Sequence, residues 1–390
     1  MLPCQRRVER LPRVGFPVMR PASRDAAPRL IYVVRPHRLA LCEIPAYTPS
    51  MLDVIDLCEE LCLIPSTTGE EAAVVNACER VLQELGLEVR RQPVGDVPGR
   101  DNLLATWPGC QPEILLTTHL DTVPPFIPPK READRMSGRG TCDAKGIAAA
   151  MICAAERLAA ADERRVALLF VVGEELDSDG ARAAAKDFVP SVRYFIDGEP
   201  TELKLAVAMK GAITFDLEAK GKACHSAYPE LGHSAVHQLL QDLSRLIEAD
   251  WPIDETVGAT TLNIGTIEGG VAPNVVAPHA KAQCVMRAST DAQQLLDSVR
   301  ARVDDRTEVH VRSASSPIHL ESVPGEETCV VAFGSDVPYL APLGKPLLVG
   351  PGSIHDAHTD HEHVLLDDLV RSVALYQRLT TVLLSAPTDG

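Results

Sequence analysis

Two residues open the question. In "EILLTTHLDTVPP", residues 113–125, His119 and Asp121 stand two apart where an apolar run gives out. In an extended chain residues i and i+2 point to one side, so both face one way at the carboxyl end of an expected buried strand, where open α/β sheets bind ligands. Three more acid clusters follow in the same manner. "SGRGTCDAKG" places Asp143 at the start of an alanine-rich helix, "RVALLFVV" runs into Glu174 and Glu175, and "RYFID" runs into Glu199. A fifth cluster, "PGSIHDAHTDHEHV", holds His355, His358, His361 and His363.

Each cluster alone has a plainer reading. Asp143 serves as a helix cap worth about 1 kcal/mol, a Glu pair is often a solvated helix start, and a His-rich run is often a surface loop. Together they are harder to dismiss. The flanking sequence offers no evident buried cation for them, and gathering Asp143, Glu174, Glu175 and Glu199 without one would cost several kcal/mol. Divalent metal ions resolve this, because carboxylates and neutral imidazoles are the donors of hydrolytic zinc or cobalt sites, and two metals can share one carboxylate.

The elements that must position these residues alternate strand and helix from residue 51 onward. "EEAAVVNACERVLQELG" reads as a helix, "EILLTT" as a strand, "AKGIAAAMICAAERLAAA" as a helix, "RVALLFVV" as a strand, "SDGARAAAKDF" as a helix and "RYFID" as a strand. That spacing predicts an α/β fold: a mixed, mostly parallel sheet flanked by helices. From about Met209 the order becomes β-α-β-β-α-β, a ferredoxin-like unit, after which "KPLLVG" and a long C-terminal helix resume the first style. The expected organisation is a catalytic domain of residues 51–208 and 317–390 with an inserted domain at 209–316, and hinges near 207–211 and 314–324.

Composition narrows the function. A net charge of −16 over 390 residues argues against nucleic acid or anionic membrane as partner, and no apolar run approaches the roughly 18 residues of a membrane span. Eleven cysteines without a Cys-x-x-Cys pair fit a reduced, cytoplasmic compartment. Cys58 and Cys62, four apart on an expected helix, read as small buried hydrophobes. Residues 1–50 differ: nine arginines, no lysine and three acids give +6 and leave −22 for the rest, and eight prolines break any period. This leader reads as a transit segment, a disordered arm or a start placed too early, with Met51 the favoured functional beginning.

The ordered set "HLDTVP", "GRGTCDAKG", "GEE", "GEPT", "GKACHSAYPELG", "APNVVAP" and "GPGSIHDAHTDHEHV" resembles the zinc-dependent aminoacylase and carboxypeptidase G family, which includes acetylornithine deacetylase and succinyl-diaminopimelate desuccinylase. The resemblance implies a zinc-exopeptidase-like catalytic domain and an inserted lid through which two chains dimerise. It implies that His119 and Glu199 bind one metal, Glu175 and His358 the other, and that Asp143 bridges them, often with a cis peptide after it. Zinc is the first expectation, with cobalt or manganese accepted by the same ligands. Asp121 would orient His119, and Glu174 would take a proton from a metal-bridging water and deliver it to the leaving amine. His225 would reach the scissile carbonyl from a partner subunit. Asn274 and Arg287 would hold substrate, with Gly350 to Ser353 lining the pocket. The implied substrate is an N-acyl amino acid, N-acetylornithine or N-acetylcitrulline first, in arginine or lysine biosynthesis, with a dipeptidase or desuccinylase as the alternative and a non-catalytic relative after them. His355, His361 and His363 exceed what the family needs and read as bystanders, though His355 is open to a substrate contact. The proline-heavy "PPFIPPKREADRMS" departs from it.

Overall fold

The computed structural model describes residues 51–387, so every expectation about the basic leader falls outside the described residues. The main sheet has six strands in the order Glu88–Pro93, Asp101–Thr106, Val166–Val171, Ile114–His119, Tyr194–Asp197 and Lys345–Leu348. The last four run parallel to one another; the first two are antiparallel additions at one edge. Ile114–His119 and Val166–Val171 are buried at every position, as a parallel strand covered on both faces must be. Their side chains divide with period two. Leu168 and Phe170 enter the core of one face, while Leu169 and Val171 enter the other.

On the first face lies the helix Lys145–Ala160, buried along most of its length. Its alanines let it lie close to the sheet and to the helices Val54–Cys62 and Leu366–Ser385. The helix Asp179–Asp187 and the turn Val337–Leu340 cover the second face. Cys58 and Cys62 are buried, and the cysteines of the described residues are all free thiols. Among the described residues no helix is long and apolar enough to cross a membrane.

The inserted region forms a four-stranded antiparallel sheet ordered Thr261–Gly269, His279–Ala288, Gly211–Lys220, Thr307–Ala314. Two helices, Ala235–Ile247 and Ala292–Arg300, cover one face and close a separate apolar core between Ile213 and Val299. Cys284 and Met286 point into that core; Val285 and Arg287 stand on the opposite face.

One expectation changes at the crossing points. Residues 207–209 of the expected hinge belong to the strand Leu205–Met209, which is paired on both edges, antiparallel to Ile318–His319 and parallel to Thr328–Val331. Between it and Gly211–Lys220 only Lys210 lies outside a strand. Both strand edges there are tied by main-chain hydrogen bonds, so any bending is confined to Lys210 and residues 315–317.

Candidate metal centre

Parallel neighbouring strands end at one edge of the sheet, and that register gathers the acids. Ile114–His119 ends on His119 itself, Val166–Val171 leads through Gly173 to Glu174 and Glu175, and Tyr194–Asp197 leads to Glu199. Asp143 arrives from the loop before the helix Lys145–Ala160, with a cis peptide bond to Ala144, as the resemblance implied. The two carboxylate oxygens of Asp143 face different imidazoles: Oδ1 lies 3.0 Å from His119 Nε2 and Oδ2 lies 3.3 Å from His358 Nε2. His358 Nε2 also lies 2.9 Å from Glu175. Two groups of donors capable of holding a metal ion result, His119–Asp143–Glu199 and Asp143–Glu175–His358, with Asp143 in both.

The donor set fits divalent cations. Glu175 Oε1 is buried with no hydrogen-bond partner among the described residues. Burial, with the neighbouring acids, pushes Glu174 and Glu199 well above the ordinary carboxylate range. Burial also pushes Asp143 up, but the His119 and His358 imidazoles outweigh it and hold this carboxyl low. In return Asp143 and Glu175 raise His358 to about 10. Cations do stand beside Asp143 in sequence, contrary to expectation, yet they aim elsewhere: buried Lys145 donates to the Ile64 carbonyl at 2.8 Å, and buried Arg139 meets Glu362 at 2.5 Å. The acids remain without a lysine or arginine partner among the described residues.

Asp121 does more than expected, and its contact with His119 differs. Its main-chain carbonyl lies 3.0 Å from His119 Nδ1, closer than its carboxylate at 3.6 Å. This contact puts the proton on Nδ1 and leaves Nε2 as the electron-pair donor. The carboxylate instead accepts from Thr68 Oγ1 at 2.8 Å and from the main-chain N–H groups of Glu174 and Glu175 at 3.2 Å each. It thus ties one donor strand to the loop that carries two more acids. His358 is held with φ of +64°, a left-handed conformation costing an L-residue about 1–2 kcal/mol.

Sequence reasoning missed Glu362. One of its oxygens accepts from the main-chain N–H groups of Gly140, Cys142 and Asp143 at 2.8, 3.3 and 3.2 Å, and the other meets Arg139. The acid therefore fixes the loop that presents Asp143. Its signal was present in "DHEHV" but was masked by the surrounding histidines.

A cavity of about 760 Å³ opens in front of these groups, lined on one side by Asp143, Glu174, Glu175, Glu199 and His358 and on the other by Arg287 and Arg312 of the inserted sheet. Residues 115–381 match the profile of Peptidase family M20/M25/M40. The chain belongs to the M20 peptidase family. It is 40% identical over 340 residues to a peptidase M20 domain-containing protein of Schizosaccharomyces pombe, covering 85% of each chain. It is 38% identical over 379 residues to a probable carboxypeptidase of Emericella nidulans, covering 85% of this chain and 89% of that one. In fold it is similar to the aminopeptidase PepT of Bacillus cereus, with a TM-score of 0.73, 21% identity and coverage of 86% and 100%. It is also similar to a dinuclear metal binding M20 peptidase of Bacillus subtilis, with a TM-score of 0.66, 16% identity and coverage of 86% and 98%. As an M20 member the chain is a hydrolase of amide or peptide bonds.

The remaining expected residues of this M20 chain divide. Arg287 lines the cavity and has no hydrogen-bond or ion-pair partner among the described residues. His225 and Asn274 do not line it. They sit together on loops of the inserted region, where His225 pairs its main chain with Val275 and the Asn274 carbonyl accepts from Ser226 N at 3.0 Å. Gly350 and Ser353 stand beside the cavity, not in it; Ile354 and Ala357 line it instead. Gly350 is a packing residue, since a Cβ there would lie 2.6 Å from the Glu199 carbonyl oxygen. Ser353 Oγ meets Glu202 at 3.2 Å. His355, His361 and His363 are outside the cavity too; His361 meets Asp360 at 3.0 Å.

Proposed function

We propose that this M20 chain is a dinuclear metal-dependent amidohydrolase that cleaves the amide bond of a small substrate ending in a free α-carboxylate. What carries the reading is the pairing of two donor groups that share Asp143 with a guanidinium, Arg287, across one cavity. Two divalent ions, zinc first, held by His119 and Glu199 and by Glu175 and His358 about the shared Asp143, would supply Lewis-acid activation of the scissile carbonyl and of water.

Glu174 belongs to neither donor group, is half-buried at the cavity wall and is placed to take the proton of the attacking water and pass it to the leaving amine nitrogen. Burial and the neighbouring acids raise its proton affinity in the protein alone, and bound cations would lower it again. Asp121 holds Glu174 and Glu175 in register with His119 through their main-chain N–H groups. Arg287 grips the α-carboxylate with its planar fork.

Two substrate classes fit. The sequence resemblance favours N-acetyl amino acids such as N-acetylornithine or N-acetylcitrulline. The probable carboxypeptidase among the relatives at 38% identity favours removal of a C-terminal residue from a short peptide. Amine release from zinc-loaded protein on a panel of both classes, with metal content measured per chain, decides between them. Glu174→Gln is the control and should lose about 10²–10⁴-fold in kcat while keeping its metals. Two bound metals with no turnover on any member would overturn the substrate class, and failure to bind metal would overturn the reading itself.

A further inference from the structure

The cavity holds more positive charge than one α-carboxylate requires. Arg182, Lys210, Arg287 and Arg312 all line it. Arg312 is already matched by Asp216 at 2.7 Å, and the Lys210 ammonium donates to the Ala259 carbonyl. Arg182, Lys210 and Arg287 meet no carboxylate among the described residues, and of these Arg182 and Arg287 carry the planar fork suited to one. Arg182 comes from the helix Asp179–Asp187, which follows the Glu174–Glu175 turn in the chain, and Arg287 from the inserted sheet.

Arg182 is nonetheless braced. Its Nη2 donates to Tyr339 Oη at 2.9 Å and its guanidinium lies 4.4 Å over the Tyr339 ring. A tyrosine can position an arginine but cannot neutralise it, and the stacked fork arrives with much of its conformational entropy already lost. The nearby acid Asp179 is fully taken by both Nη atoms of Arg100 at 2.6 and 2.7 Å. In a chain of net charge −16, a held, unneutralised guanidinium facing a binding cavity marks where an anion from outside is received.

We infer that the preferred substrate carries a second carboxylate beyond the one on Arg287, and that Arg182, braced by Tyr339, receives it and sets this preference. The inference rests on the amidohydrolase reading for the use of the cavity. The second carboxylate belongs either to an acidic side chain on the amine side of the scissile bond or to a dicarboxylic acyl group, and two ligand pairs separate these sources.

Binding without turnover is the test. Calorimetry on zinc-loaded Glu174→Gln compares N-acetylglutamate with N-acetylglutamine, and N-succinylalanine with N-butyrylalanine. At least one diacid should bind about tenfold tighter than its neutral partner, the worth of one charge-assisted contact. Adding Arg182→Gln should bring that ratio close to one, and Arg182→Lys should restore part of it; Arg287→Gln should weaken both members of a pair alike. Equal binding within both pairs, or a preference that survives Arg182→Gln, overturns the inference. Turnover of the same four compounds by the native protein is scored separately. A diacid preference without amine release would keep the role of Arg182 and overturn N-acyl amino acids as the substrate class, whereas failure of the protein to bind zinc would sink the amidohydrolase reading.

Discussion

Asp336 is a buried carboxyl whose Oδ1 meets no donor among the described residues, and burial together with nearby Asp197 pushes it up to about 8. Asp197, also buried with an orphan oxygen, is raised to about 7. Asp336 lies near Glu174 and Asp197 near Glu199, and neither contributes a donor atom to the metal groups. Their effect on stability has a definite sign. An unfolded aspartate titrates near pH 4, so between about pH 4 and 8 the folded chain binds more protons than the unfolded one, and stability falls as pH rises through that window. In chelator-treated protein, Asp336→Asn should therefore melt at a higher temperature than the native chain at pH 9, with the gap closing by pH 5. Identical melting curves at pH 9 would show that Asp336 ionises in the fold without penalty.

At the scale of the element, the loop Gly138–Asp143 depends on an acid far along the chain. Glu362 accepts three of its main-chain N–H groups and neutralises Arg139, which is 2% exposed. Glu362→Gln keeps the shape but leaves Arg139 facing an amide, so unfolding in urea should show a loss of about 3 kcal/mol, the lower range for breaking a buried pair. Zinc affinity should drop about 10–100-fold, as for other losses of support behind a ligand. A stability loss with unchanged zinc affinity would make Glu362 purely structural. Glu362 also marks where sequence reading stops. His119, Glu174 and Glu199 were legible because apolar strands end at them, and a strand end is a local signal. The bond between Glu362 and Asp143 joins residues far apart in sequence, which no local pattern reveals. Sequence neighbours misled in the opposite direction: Arg139 and Lys145 flank Asp143 yet point away from it. The edge strand Glu88–Pro93, "EVRRQP", escaped notice because it is half solvated and has no clean alternation. The proline-heavy stretch after His119 hid two short strands, Lys130–Arg131 and Arg135–Ser137, the second paired with His363–Leu365.

At the scale of the whole molecule, each chain supplies a guanidinium to its own cavity but not an imidazole from the inserted sheet. Arg287 lines the cavity; His225 is exposed on a loop, where its Nδ1 accepts from Ala227 N at 3.1 Å. If His225 serves the reaction, it serves the cavity of another copy, and the working unit is a homodimer through the inserted region. Two inactive variants test this directly. His225→Ala lacks the donated imidazole and Glu174→Gln lacks the base, so each homodimer should be nearly silent. In a heterodimer purified through two different tags, the chain with native Glu174 receives native His225 from its partner, and one of the two sites is complete. Its rate should reach about half that of the native dimer, since a closed two-fold assembly carries two equivalent sites. Should His225 act within its own chain, neither site of the heterodimer would be complete and the mixture would stay silent. A chain that sediments as a fully active monomer would exclude the shared site, because a lone subunit has no second copy from which to draw the imidazole.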